Sequence, residues 1–333
     1  FYTSVNIPYG SMASAISPDP NHRAQLSTYR NIGATMASLV IGTGTPLLAY
    51  EAADGATVLS GSRMTVIAGV FAVCGIICHL LCIYLVEERV EIPQNTSRLD
   101  VGKMLRSIAT NRSLLGIIAA AIMLLLGMLG MSGMAPYVFP VYYNSATAQS
   151  MSSLVSNLAV LFVCAPLAAK LAQKAGKKEL SAVSCLLGAA VWLICLAIRP
   201  QSAMAFVGFY AVSYIGIGMF NTVIWAMITD VIDDAEVKNG IREDGTIYSV
   251  SRKLGQALSS GMIGGLMTMI GYSDAVAANP SAYPEVLDNI FNLACIIPAI
   301  GLIAVALALI FIYPLTKKRV EANVAELAGR RNK

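Results

Sequence analysis

Stretches of about 20 mostly apolar residues recur along this 333-residue chain, separated by short polar connections. Each is long enough to cross the hydrocarbon core of a bilayer as an α-helix. In lipid every backbone amide must be satisfied internally, so the recurrence constrains the chain to an all-α, polytopic transmembrane helical bundle. Composition agrees. The chain is 56% hydrophobic and 13% charged with mean hydropathy +0.66, whereas soluble domains carry about 25% charged residues.

Eight complete spans are expected, at roughly 26–50, 64–86, 114–141, 150–173, 179–198, 203–229, 246–271 and 287–314. A partial span precedes them at 1–17, ended by the turn-forming run Ser17-Pro18-Asp19-Pro20-Asn21. That first stretch lacks a basic leader region, so it is not read as a signal peptide. With no initiator Met before Phe1, further N-terminal helices are expected to precede it.

Lys and Arg concentrate in alternate loops: Arg23, then Arg89 to Arg112, then Lys170 to Lys178, then Lys238 and Arg242, and finally the tail from Lys317. The intervening loops hold Arg63 and Arg199 alone. The positive-inside rule then places the C-terminus in the cytoplasm of a multi-pass protein of the cell membrane. The longest connection divides the chain into 1–86, a central loop 87–113, a six-helix region 114–316 and a tail 317–333. A protein built of two six-helix halves would have three more helices than this chain shows.

The net charge of +4 does not by itself imply nucleic acid, and a monomer is expected. All seven cysteines lie in apolar stretches, where packing is their expected role. Cys74, Cys78 and Cys82 recur every four residues beside His79, a pattern that helix contacts explain more simply than a metal. The two histidines have no evident catalytic partners, no phosphate-cradling glycine loop follows a strand, and no cofactor or enzyme activity is expected.

Ionisable groups inside a span are costly and mark sites by default. Arg252-Lys253 precedes a run rich in small residues, and neighbours on a helix point about 100° apart. One of the pair therefore faces inward, and Lys253 is the one expected there. A cytoplasmic anchor formed by both residues is the alternative. Arg30, near the start of its span, can offer a bidentate fork to hydroxyls or a carboxylate, or snorkel to the interface. Thr3, Asn6 and Tyr9 recur at helical spacing, presenting oxygen, amide and aromatic groups suited to a sugar or to helix-helix hydrogen bonds. Near the end of the 203–229 span come Asn221 and Trp225, then a mixed-charge run holding Asp230, Asp233, Arg242 and Asp244. Such charges either form salt bridges that gate one side of a cavity or make a solvated loop.

Five motifs then carry a resemblance: Asn6-Ile7-Pro8-Tyr9-Gly10-Ser11, the Asp19 to Arg30 loop, Asn111-Arg112-Ser113-Leu114-Leu115, Trp225 to Asp233, and Arg252-Lys253-Leu254-Gly255-Gln256-Ala257. In their order they resemble the glycoside-pentoside-hexuronide:cation symporters of the major facilitator superfamily, over essentially the whole chain. The resemblance implies that the partial span is helix four, that helices one to three are absent, and that a sugar is moved with Na+, Li+ or H+ by alternating access. It implies a cation-site role for Thr3, completed by helix-two carboxylates outside this sequence. It implies sugar contacts at Asn6, where the melibiose branch has an aspartate, at Arg30, within one residue of a helix-five arginine, and at Lys253. The family's helix-ten tryptophan aligns with Asn221, and Trp225 lies one turn on. Asp230, Arg242, Asp244 and Arg23 resemble a cytoplasmic salt-bridge network. Before Arg252 the chain is about three residues shorter than the family pattern, roughly 300° of helical rotation. The expectation is a sugar importer coupled to a cation. An exporter, a lipid transporter or a membrane sensor are the alternatives, and the tail from Lys317 supplies no signalling domain for the last.

Overall fold

The computed structural model describes residues 16, 20–53, 56–87, 112–239 and 261–331. The chain divides into two compact units, Phe1–Glu51 with Leu59–Asp100, and Ala52–Val58 with Val101–Lys333.

The first unit holds α1 (Pro20–Ala49) and α2 (Gly61–Leu85), and between them in sequence β1 (Tyr50–Ala53) and β2 (Ala56–Leu59) pair as a hairpin of which Ala52–Val58 falls in the second unit. Helix α1 starts inside the run expected to be a turn. The reason is Pro20, whose fixed φ suits the first helical position and whose missing N–H is not needed there. The Ser60 N–H donates to the Ala49 carbonyl at 2.9 Å and closes the base of the hairpin. Helix α2 is apolar on all sides and buries none of its residues in this unit, as a helix solvated by lipid does. His79 spends Nδ1 on the Gly75 carbonyl of its own helix at 2.7 Å.

The second unit contains α3 (Arg112–Tyr137), α4 (Ala146–Ala159), α5 (Ala165–Ala175), α6 (Lys177–Ile198), α7 (Ala203–Asn239), α8 (261–269), α9 (Asp274–Ala278), α10 (Pro284–Leu307) and α11 (Lys317–Arg331). Wider π-turns extend α3 through Val138–Tyr142, link α4 to α5 through Val160–Cys164, and extend α10 through Ala308–Ile312. The second of these has a visible cause. Pro166 has no N–H and its ring would strike the carbonyl four residues back, so the helix loosens by one residue per turn just before it. Ser145 caps α4 by accepting the Ala148 N–H at 3.2 Å.

Seven helices among the described residues are long and apolar enough to cross a membrane, and the chain is a multi-pass membrane protein. The core of the second unit is where α3, α6, α7 and α10 meet. Lipid offers no hydrophobic drive between helices, so close backbone approach carries the packing. At the α3–α10 crossing, a Cβ on Gly301 would lie 2.6 Å from the Gly127 Cα, so position 301 admits only glycine.

The largest departure from expectation is α7. It runs for 37 residues and carries Asp230, Asp233 and Asp234 on helix rather than in a loop. At 1.5 Å per residue Asp230 stands about 40 Å from Ala203, beyond the ~30 Å hydrocarbon thickness. The tail is likewise helical, as α11.

Candidate functional site

Asp230 and Asp234 are four residues apart, one turn, on a single face of α7. Asn221 lies nine residues before Asp230, about 180° around the helix. The structure follows this division. Asp230 and Asp234 are buried within the second unit, and Asn221 is exposed.

Lys177, the first residue of α6, holds Asp230. Its Nζ donates to Oδ1 at 2.7 Å and Oδ2 at 2.8 Å, and reaches the Ala226 carbonyl at 3.5 Å. Burial pushes the Asp230 carboxyl above the usual carboxylate range. The Lys177 hydrogen bond and charge pull the other way, and half-buried Asp233 adds to the rise. Burial is therefore the larger influence on Asp230, and the ion pair recovers only part of its desolvation.

Asp234, only 1% exposed, is held from two other helices. Ser113 Oγ on α3 donates to Oδ2 at 2.7 Å, Asn323 Nδ2 on α11 donates to Oδ1 at 3.2 Å, and Arg319 Nε stands 3.7 Å away. The C-terminal helix is thus anchored to α7 through a buried carboxylate.

The last span ends against cations of the same region. Arg112 Nη2 donates to the Phe311 carbonyl at 2.8 Å, and Lys178 Nζ donates to the carbonyls of Tyr313 at 2.7 Å and Ile310 at 3.4 Å. These are the carbonyls a helix terminus leaves without internal partners. The Tyr313 hydroxyl reaches the Met227 carbonyl at 3.5 Å, and burial raises its pKa. A cavity of about 270 Å³ opens beside Lys177 and Asp230, bounded also by Gln173, Lys178, Tyr313 and Lys317.

At the other end of α6, left-handed Arg199 (φ 48°) turns its guanidinium onto α10. It meets Asp288 at 3.2 Å and Asn292 at 2.8 Å, and lies 5.8 Å from the Phe291 ring centroid. Tyr142 stacks on the same ring at 5.1 Å, and the Tyr143 hydroxyl donates to the Pro200 carbonyl at 2.7 Å. Each end of the second unit is therefore tied by its own polar cluster.

Of the residues singled out by sequence, Thr3, Asn6, Tyr9, Arg242, Asp244 and Lys253 lie outside the described residues. The side chains of Arg23 on α1 and Trp225 on α7 lie outside them as well. Arg30 is exposed on α1 within its unit. Asp230 has Lys177 as its partner, a residue that sequence reasoning had counted only as setting topology. Asp234 was read only as part of the mixed-charge run, Arg319 only as tail charge and Ser113 only within a motif, and Asn323 was not singled out. The spacing of Asp230 and Asp234 on one helical face was the available signal, and it was hidden by ending the span at 229.

The MFS/sugar transport protein family matches residues 1–317. The glucuronide carrier protein homolog of Escherichia coli (strain K12) is 27% identical, over 99% of this chain and 71% of the relative. A putative sulfoquinovose importer of Salmonella typhimurium is 29% identical, over 99% and 69%. A putative 2,3-dihydroxypropane-1-sulfonate exporter of the same organism is 28% identical, over 99% and 71%. These relatives are transporters rather than enzymes. A match across nearly the whole of an all-helical, membrane-spanning chain has one meaning: this chain belongs to the MFS/sugar transport protein family.

Proposed function

We propose that this transporter imports a sugar, of the glycoside, pentoside or hexuronide class, by symport with Na+, Li+ or H+ through alternating access. The family match over residues 1–317 carries the reading. Sugars that bear an acid group fit best. Two of the contacts inferred from resemblance, Arg30 and Lys253, are cations, and Asn6 is neutral where the melibiose branch has an aspartate. A guanidinium binds a carboxylate or sulfonate through paired hydrogen bonds, and a neutral amide at position 6 does not repel it. The names of two relatives, a glucuronide carrier homolog and a sulfoquinovose importer, point to the same chemistry. Thr3 would serve the cation, while Tyr9, Asn221 and Trp225 would add sugar contacts. Arg23, Asp230, Asp233, Arg242 and Asp244 would close the cytoplasmic side, where the C-terminus also lies.

The test is uptake of radiolabelled glucuronide and of a neutral glycoside by cells expressing the full-length parent protein, under imposed Na+ or proton gradients. Gradient-driven glucuronide uptake, abolished by Lys253→Ala with the protein still in the membrane, is expected. Uptake indifferent to every cation gradient would sink the coupling. A second reading, export, has one observation in its favour, the relative named as a sulfonate exporter. Efflux from preloaded vesicles without gradient-driven uptake would select it.

A further inference from the structure

The 270 Å³ cavity beside the Lys177–Asp230 pair is not used by any step of sugar transport described above. It lies where the last span ends, at Ile312, and α11 begins, at Lys317. Three ammonium groups border it, those of Lys177, Lys178 and Lys317. Their bonding differs. Lys177 faces a carboxylate and is neutralised by it. Lys178 is held by two backbone carbonyls, which accept its protons without cancelling its charge. Lys317 donates to the Gln173 carbonyl at 2.6 Å, and its carboxylate neighbour Glu321 is 3.9 Å away and 64% exposed. An ammonium has three donors, so Lys317 keeps protons to spare beside the cavity. Asp230, Gln173 and Glu321 line it too, and the rest of the wall, including Leu315 and Val320, is mostly apolar.

Charge without full neutralisation, beside an apolar wall, at the level where hydrocarbon gives way to water, is the environment of a phosphate ester. A sugar without an acid group would leave the Lys178 charge unmatched and that of Lys317 answered only by exposed Glu321. The volume is at the small end for ligand sites, which suits a headgroup-sized molecule. We propose that this cavity binds a phosphate ester between Lys178 and Lys317, either the headgroup of an anionic phospholipid or a soluble phosphate monoester. Bound there, the phosphate joins the start of α6 to the start of α11 and holds the C-terminal helix in place. Glu321 turns toward solvent to admit it, and the binding weakens as salt rises.

The experiment places the full chain in nanodiscs of phosphatidylcholine, alone or doped with phosphatidylglycerol, and follows thermal unfolding. Glycerol 3-phosphate is titrated into the undoped discs at constant ionic strength. A higher midpoint with phosphatidylglycerol assigns the site to lipid, and a higher midpoint with glycerol 3-phosphate assigns it to a soluble ester. Lys178→Gln and Lys317→Gln should each weaken the responding ligand about fivefold, while Lys170→Gln, an exposed lysine on α5, should not. Lys178 also supports the last span, so native mass spectrometry of retained lipid or glycerol 3-phosphate on Lys317→Gln gives an independent reading. Equal midpoints in all three conditions, or Lys317→Gln retaining the ligand as well as the parent does, would overturn the proposal.

Discussion

Replacing Lys177 with Met removes the ammonium and keeps most of the side chain's length and bulk, leaving the Asp230 carboxylate, 7% exposed, without its cation. Breaking a fully buried ion pair costs about 3–5 kcal/mol. Here the Lys177 side chain is 32% exposed and a cavity opens beside it, so water relieves part of that cost. A loss of about 2 kcal/mol is expected once that screening is included, or about 3 °C in the unfolding midpoint of a chain of this size. Asp230→Leu should cost less, because the freed lysine can turn to solvent. The double variant exchanges the pair for apolar contacts and should be more stable than the sum of the singles implies, by about 1–2 kcal/mol. Thermal unfolding in detergent of the parent, both singles and the double closes the cycle. Acid supplies a second check. Once Asp230 is protonated the pair no longer exists, so the gap between Lys177→Met and the parent should shrink as pH falls. Single effects that add to within about 0.5 kcal/mol, or a gap that persists in acid, would refute the reasoning.

Asp234→Ala should lose about 2–3 kcal/mol, since hydrogen bonds to a charged acceptor each contribute about 1.5–3, and it should release α11. Faster cleavage of the tail in limited proteolysis would report that release. Gly116→Ala should cost about 1–3 kcal/mol by overpacking, because a Cβ there would lie 2.7 Å from the Tyr313 Cα, a backbone atom that cannot step aside; thermal unfolding measures it. Burial raises the Asp230 carboxyl, so its protonated form favours folding. Its contribution to stability is present at low pH and is lost as pH rises through the folded-state value. Asp230→Asn should remove that part of the pH slope in a series of unfolding midpoints.

The membrane class and most spans were legible because hydropathy is a local property of about 20 consecutive residues. The expected 64–86, 179–198 and 287–314 compare with Gly61–Leu85, Lys177–Ile198 and Pro284–Ile312. The end of α7 was not legible. Hydropathy marks where a helix leaves lipid, whereas the helix itself continues wherever partners stabilise it, and here Lys177, Ser113 and α11 cover the extension. Tail residues Arg319 and Asn323 carry no local sign of a partner, yet they meet a buried carboxylate 85 and 89 positions away in the chain. By itself, then, the sequence determined that the chain spans the membrane repeatedly and which helices carry unusual charge. Only the tertiary structure decided that Asp230 belongs to Lys177 and Asp234 to α3 and α11, because pairing depends on which helix ends packing brings together, and no local pattern records that.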